Sequence, residues 1–223
     1  MNKADILNRI TEAFDRYLNA AGGGNPASLV PDTVKDGKLY EAHVLSQVAR
    51  ELVTKERYTL RLVQSDRLIL KSSPGPINPT YPHIEVWDKH KHVASLWTDV
   101  EFTALSCSRS GRYPCRPGHY HELDILLVDA DATGRPTPEQ VWLGIECKNT
   151  VYEKALLRQI LGVRRELSLL ASPTETHFRK WPRREVPANP PSCLIVYASN
   201  PAVLKFADPG RTFGIDFVYD PLV

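Results

Sequence analysis

His121-Glu122-Leu123-Asp124-Ile125-Leu126-Leu127-Val128-Asp129 and, after a turn, Val141-Trp142-Leu143-Gly144-Ile145-Glu146-Cys147-Lys148-Asn149 are the two stretches on which the reading of the fold turns. Each is an apolar run, and Gly134, Pro136 and Pro138 lie in the polar segment between them, so each reads as a short buried strand. Side chains alternate across a strand, which puts Glu122 and Asp124 on one face of the first and Glu146 and Lys148 on one face of the second. If the strands pair, three carboxylates and one ammonium converge. Unpaired charges in such a place cost several kcal/mol or shift their pKa values, a conflict that a bound cation resolves.

The 223 residues, 42% of them hydrophobic, suffice for a substantial core. The expected organisation is an N-terminal helix and linker over residues 1–26 and a single domain over residues 27–223. The 28 Lys and Arg against 26 Asp and Glu give a net charge of +2, so any basic surface has to be local. Cys107, Cys115, Cys147 and Cys193 lie far apart and two fall in expected strands, which favours reduced thiols in a reducing compartment. No stretch approaches the ~20 apolar residues of a membrane span, and the chain opens into an amphipathic pattern without a leader-like apolar run. A soluble, cytoplasmic protein with no membrane association is expected.

Ile6, Leu7, Ile10, Phe14 and Leu18 recur at helical spacing until Gly22-Gly23-Gly24-Asn25-Pro26 ends the pattern. This helix would pack on the domain or on a second copy, so a homodimer stays open. A second helix is expected over residues 38–53, with Val44, Leu45, Val48 and Leu52 as its stripe. At ~100° per residue Glu41 falls near the centre of that stripe and points inward, either as a functional carboxylate or as a partner of the helix dipole in the first turn. Strands are expected over residues 58–63, 67–70, 83–87 and 93–105, the last two joined by a turn at 88–92, and Asp99 and Glu101 read as solvent-facing. Thr150 and Glu153 fit a capping box for a helix with the stripe Tyr152, Leu156, Ile160, Val163, Leu167 and Leu170, and Gln159 projects from the same side. Further strands are expected over residues 193–197 and 213–218.

A helix with an inward Glu41, a strand with Glu122-Leu123-Asp124, a strand with Glu146-Cys147-Lys148 and a helix with Gln159 together resemble the PD-(D/E)XK nuclease superfamily. The likeness covers residues 38–197, and Leu123 stands where the superfamily's name has Pro. The resemblance implies an α/β, restriction-endonuclease-like central mixed β-sheet flanked by helices (an αβββαβ core), here with an extra N-terminal helix. It also implies a Mg²⁺-dependent nuclease, with Mn²⁺ as a substitute, that hydrolyses phosphodiester bonds, most readily a DNA endonuclease of a restriction, repair or mobile-element system that works with or without a partner protein. Asp124, Glu146, the backbone carbonyl of Cys147 and Glu41 would hold metal, a hard cation suited to oxygen donors. Lys148 would orient or help deprotonate the attacking water, with Gln159 in support.

Glu122, nearer the strand start, reads as a supporting or exposed residue. Arg109, Arg112 and Arg116 in one loop, and Lys180, Arg183 and Arg184 beside Arg179 and Trp181 in another, are candidate nucleic-acid contacts; a solvated basic loop is the plainer reading of each. Cys107, Cys115, His119 and His121 offer a zinc set without Cys-x-x-Cys spacing. Paired acids also occur in nucleotidyltransferases, but no Gly-Ser turn precedes His121. The cluster has a structural alternative too, a cross-strand salt bridge in a non-catalytic nucleic-acid-binding or assembly module that keeps the fold.

Overall fold

The computed structural model describes residues 3–20, 36–65, 67–71, 73–111 and 114–222. The 22–26 linker and Arg112 lie outside the described residues. Helix α1 (Lys3–Tyr17) leads into a short strand β1 (Leu18–Ala20), and α2 (Asp36–Thr54) follows. Strands β2 (Thr59–Val63), β3 (His83–Asp88), β4 (Lys91–Thr103), β5 (Tyr120–Asp129) and β6 (Val141–Lys148) form an antiparallel meander, interrupted by the short helix α3 (Leu105–Ser110). Helix α4 (Lys154–Leu167) then crosses over, as a parallel connection requires, to β9 (Cys193–Ala198), which pairs with β6. A hairpin of β7 (Leu169–Glu175) and β8 (Glu185–Asn189) fills that crossover, and α5 (Ala207–Thr212) precedes β10 (Ile215–Tyr219). The result is an eight-stranded mixed sheet in the order β1-β2-β3-β4-β5-β6-β9-β10, flanked by helices.

Two cores sit on the two faces of this sheet. Ile10, Phe14 and Leu18 from the N-terminal segment join Tyr40, Leu45, Val48 and Leu52 of α2 against Leu60, Ile125 and Ile145. Leu157, Ile160 and Leu167 of α4 pack with Leu126, Val128 and Val196 on the other face. Of the two packings open to the N-terminal helix, it therefore takes the one on the domain, as part of the first core.

Several local expectations are corrected. Residues 67–70 form no strand and pair with neither sheet; the apolar run instead buries Leu68 in the first core. Leu18 ends no helix but opens β1, which pairs with Leu60. The Thr150–Glu153 capping box does not form: Tyr152 plunges into the second core against Phe206 and Phe217, the chain stays irregular to Glu153, and α4 starts at Lys154 without a side-chain cap. Cys107, in α3, and Cys115 are joined in a disulfide, Cα atoms 6.0 Å apart, and are not the reduced thiols expected. Cys147 and Cys193 are free thiols. No described helix is long and apolar enough to cross a membrane.

Phe14, fully buried, measures how firmly α1 belongs to the fold. Phe14→Ala is expected to cost about 3–5 kcal/mol in urea unfolding, within a single transition. A loss well below 1 kcal/mol would return α1 to an appended element.

Candidate active site

The register of β4 and β5 contains the decisive irregularity. Thr98 pairs with Ile125 and Val100 with Leu123, but the Asp99–Asp124 rung between them is skipped. Asp99 has φ +48°, a left-handed conformation that Asp tolerates better than most residues, and its carbonyl accepts the N–H of Gly75. The alternation of faces reverses there. Before it, Ala94 and Leu96 belong to the first core; after it, Val100 and Phe102 belong to the second. On β5, Leu123 joins the second core although simple alternation would place it with Ile125 and Leu127 in the first. Asp99 is therefore not solvent-facing as alternation suggests but 9% exposed, while Glu101 turns outward to Arg135 at 2.7 Å.

A second irregularity adjoins it. Strands β5 and β6 pair only as far as the Ile125–Ile145 rung. Beyond it, Asp124 reaches across the fork and its Oδ2 accepts the Cys147 backbone N–H at 2.6 Å. That carboxylate caps an amide which has lost its strand partner.

Carboxylate oxygens of Glu41, Asp99 and Asp124 lie within 4.8 Å of one another, drawn from α2, β4 and β5. Lys38, one helical turn before Glu41, places its Nζ 2.6 Å from Glu41 Oε2 and 2.6 and 2.7 Å from the two Asp99 oxygens. Burial would lower the Lys38 pKa, but its bonds to Asp99 and Glu41 outweigh that and raise it. Burial pushes Glu41 up to about 7; the Asp124 charge adds to this and the Lys38 bond opposes it. Asp99 is raised by burial as well, with Lys38 pulling the other way.

Glu146 stands outside the three-carboxylate group. Its Oε2 accepts from Lys148 Nζ at 2.6 Å, two residues on along β6. Burial, reinforced by the Asp124 charge, raises the Glu146 pKa while Lys148 opposes. Lys148 loses by burial but is raised on balance by Glu146 and Asp124, so it stays an ammonium at neutral pH. Glu122, Asp124, Glu146 and Lys148 all line one cleft of about 220 Å³, whose opposite wall is Tyr152 and the α4 face carrying Gln159. The expected face-sharing thus holds, and Glu122 is exposed within it.

The two basic loops part ways. Arg109 and Arg116 are exposed and lie within the segment that leads into β5, where Ser106 N–H bonds Glu166 of α4 at 3.2 Å. The loop of Arg179 to Arg184 is instead bound at the far end of α2, roughly 20 Å from Glu41 at 1.5 Å per residue. There the backbone N–H groups of Arg179, Lys180 and Trp181 all donate to the Glu56 carboxylate, at 2.7, 2.6 and 2.7 Å. Arg179 pairs with Asp88, Arg183 with Asp216 and Arg184 with Glu175. This loop is structural and does not flank the cleft. The proposed zinc set also fails, since the disulfide removes both thiolates and the His119 Nδ1 accepts the Arg116 N–H at 3.0 Å.

Two members of the cluster escaped the sequence reading. Lys38 had a signal, its i,i+3 spacing from Glu41; Asp99 had none, because only the register break turns it inward. Comparison of the chain with family models, with curated proteins and with solved structures finds no match, so the reading of the cleft rests on its own geometry.

With the Glu41 pKa raised from 4.5 to about 7, the folded protein holds a proton that the unfolded chain releases in that window, so this group's contribution makes stability fall as pH rises through it. In chelator, Glu41→Gln is expected to stabilise by roughly 1–3 kcal/mol at pH 8 and to change little at pH 5. Equal thermal shifts at both pH values would contradict this.

Proposed function

We propose that the cleft is the active site of a divalent-metal-dependent nuclease of the PD-(D/E)XK kind, acting most readily on DNA. The observation that carries the reading is the convergence of Glu41, Asp99 and Asp124 beside the Glu146–Lys148 pair. The order α2, β4, β5, β6, α4, β9 supports it, being an antiparallel meander followed by a helical crossover to a parallel strand, as an αβββαβ core demands.

The donor set fits a hard divalent cation. Four carboxylates (Glu41, Asp99, Asp124, Glu146) face two ammonium groups (Lys38, Lys148), leaving two negative charges when all are ionised. Oxygen donors from carboxylates suit Mg²⁺ or Mn²⁺, and Glu41, Asp99 and Asp124, whose oxygens lie within 4.8 Å of one another, would hold it, whereas Glu146, expected from the resemblance as a ligand, lies outside that group. The ion would supply Lewis-acid polarisation of a phosphate oxygen. The Cys147 carbonyl stays a further ligand of this proposal; what is described at Cys147 is the amide that orients Asp124.

The chain's own groups then divide the hydrolysis. Water oxygen attacks phosphorus as one of its protons passes to a base, the P–O bond to the leaving oxygen breaks, and that oxygen departs as an alkoxide that takes a proton from solvent water. We assign the role of base to Glu146, which lines the cleft and whose basicity is raised by burial. Lys148, kept protonated, serves as a charge that stabilises the phosphorane-like oxygens and not as the base. Gln159 offers an amide to position water or phosphate, and the exposed Arg109 and Arg116, in the segment leading into β5, are the arginines this reading assigns to the nucleic-acid backbone.

Lys38 favours the competing reading, in which the cluster is an internal salt-bridge network in a non-catalytic module, because its ammonium already engages two of the three acids. Metal linkage separates the two. At ten times its Kd a metal stabilises by about 1.4 kcal/mol, roughly 3–6 °C here, and Asp124→Asn is expected to abolish the shift. Cleavage of plasmid, single-stranded DNA or RNA in Mg²⁺ or Mn²⁺ is expected to fall at least about 100-fold in Lys148→Ala. No metal-dependent cleavage and no metal-induced thermal shift in the wild type would leave the structural network as the account of the site.

A further inference from the structure

We propose that the cleft takes its substrate as an unpaired nucleotide, which makes single-stranded DNA, or a strand opened within a duplex, the substrate class. The base lies on the wall formed by Leu156 and Val163 of α4, Gln159 meets its edge, and the phosphate stays with Lys148 and the acids. The inference rests on the nuclease reading of the cleft, which names the reaction but not the form of the strand.

The lining divides by chemistry. From β5 and β6 come His121, Glu122, Asp124, Glu146 and Lys148; from the α4 side come aliphatic residues around Gln159. Ile160 and Val196 are buried behind this wall, while Leu156 and Val163 are half-buried and Gln159 is exposed. The accessible part is therefore two aliphatic side chains and one amide. Leu156, Gln159 and Val163 follow at i, i+3 and i+7 on one face of α4, a strip about 10 Å long. Phosphate chemistry makes no use of such a strip. A base does, since its flat ring covers aliphatic carbons while its rim offers donors and acceptors to an amide.

Charge is the second, independent observation. The lining carries the carboxylates of Glu122, Asp124 and Glu146 against the single ammonium of Lys148, which Glu146 already engages at 2.6 Å. One divalent cation brings that sum only to zero. Duplex DNA is held chiefly by cations that neutralise several phosphates, and Arg109 and Arg116 offer two such contacts. The other basic loop lies at the far end of α2, its arginines paired with Asp88, Asp216 and Glu175. A single strand instead draws much of its affinity from its bases, which carry no charge.

Volume sets the size of the guest. At about 220 Å³ the cleft exceeds the ~150 Å³ that accommodates benzene, and so admits one base ring with its substituents but not a base pair. In a duplex each base is stacked and paired, which keeps its face from any protein wall.

The test compares one DNA sequence of about 12 nucleotides as a single strand, as a duplex and as a fully abasic strand. Binding is read by fluorescence anisotropy in Ca²⁺, and cleavage as kcat and KM in Mg²⁺ or Mn²⁺. The single strand is expected to bind and to be cleaved at least about tenfold better than the duplex, and removal of its bases to weaken binding about tenfold. Gln159→Ala, at an exposed position, is expected to melt with the parent and to weaken the single strand about threefold. Leu156→Ala combined with the abasic strand is expected to cost no more than the larger of the two single changes, because both remove one contact; a defect of folding alone would add to the loss of the bases. Equal handling of single strand and duplex, an abasic strand bound as well as the normal one, or strictly additive losses would each overturn the inference and leave metal-dependent cleavage standing. A single RNA strand handled more than about tenfold better would overturn the assignment to DNA. Absence of cleavage on every strand, with the binding preferences intact, would instead overturn the nuclease reading and leave the base site.

Discussion

The skipped rung between Asp99 and Asp124 is the constraint from which the rest of the cleft follows. In a regular antiparallel ladder these two residues would sit directly opposite each other, with both side chains on one face of the sheet and hence in one apolar core. By turning the backbone through φ +48° at Asp99, the sheet reverses which core each strand face serves and leaves the two carboxylates between the cores. Non-glycine residues in that conformation cost of order 1–3 kcal/mol and persist where their surroundings fix them. Here the surroundings are the Gly75 N–H on the Asp99 carbonyl and the Lys38 ammonium on its side chain.

Charge balance then shapes the whole neighbourhood. Helix α2 contributes one acid and one base from a single turn, β6 contributes another such pair two residues apart, and Asp124 spends one oxygen on the amide of Cys147. The ammonium groups shield some of the repulsion and leave the remainder for a cation or a proton, which is why burial can raise Glu41 and Glu146 while their lysine partners rise too. Charged groups arranged in this way are poor evidence of stability and better evidence of a site.

Helix α4 divides its residues between the acidic cleft and a buried contact to Ser192. Gln159 and Leu156 face the acidic cleft, and five residues beyond Gln159 the buried Arg164 points away from it, toward Ser192 and the hairpin. A single amphipathic helix thus serves the second core along one stripe and two polar environments at its flanks. The side chains of Arg179, Arg183 and Arg184, by contrast, pair with Asp88, Asp216 and Glu175, while the backbone of the same loop is held by Glu56.

Much of this was legible in the residues themselves. Apolar runs and turn residues placed α2, β5, β6, α4 and β9 within a few positions, and the period-two rule put Glu146 and Lys148 in one cleft with Asp124. Those readings succeed because hydrophobic periodicity is a local property that burial enforces. The strand expected over 67–70 failed because its apolar run serves to bury Leu68 in the first core, the capping box failed because Tyr152 was needed in the core, and the basic loop was misplaced because its anchor, Glu56, lies far away in sequence. The inward turn of Asp99, the Lys38 bridge to it and the disulfide all depend on which segments meet, and a pattern read along one chain carries no term for that. Sequence alone determined the elements and the acids they carry; only the tertiary structure decided which acids converge, because the register break that turns Asp99 inward exists only where β4 and β5 lie side by side.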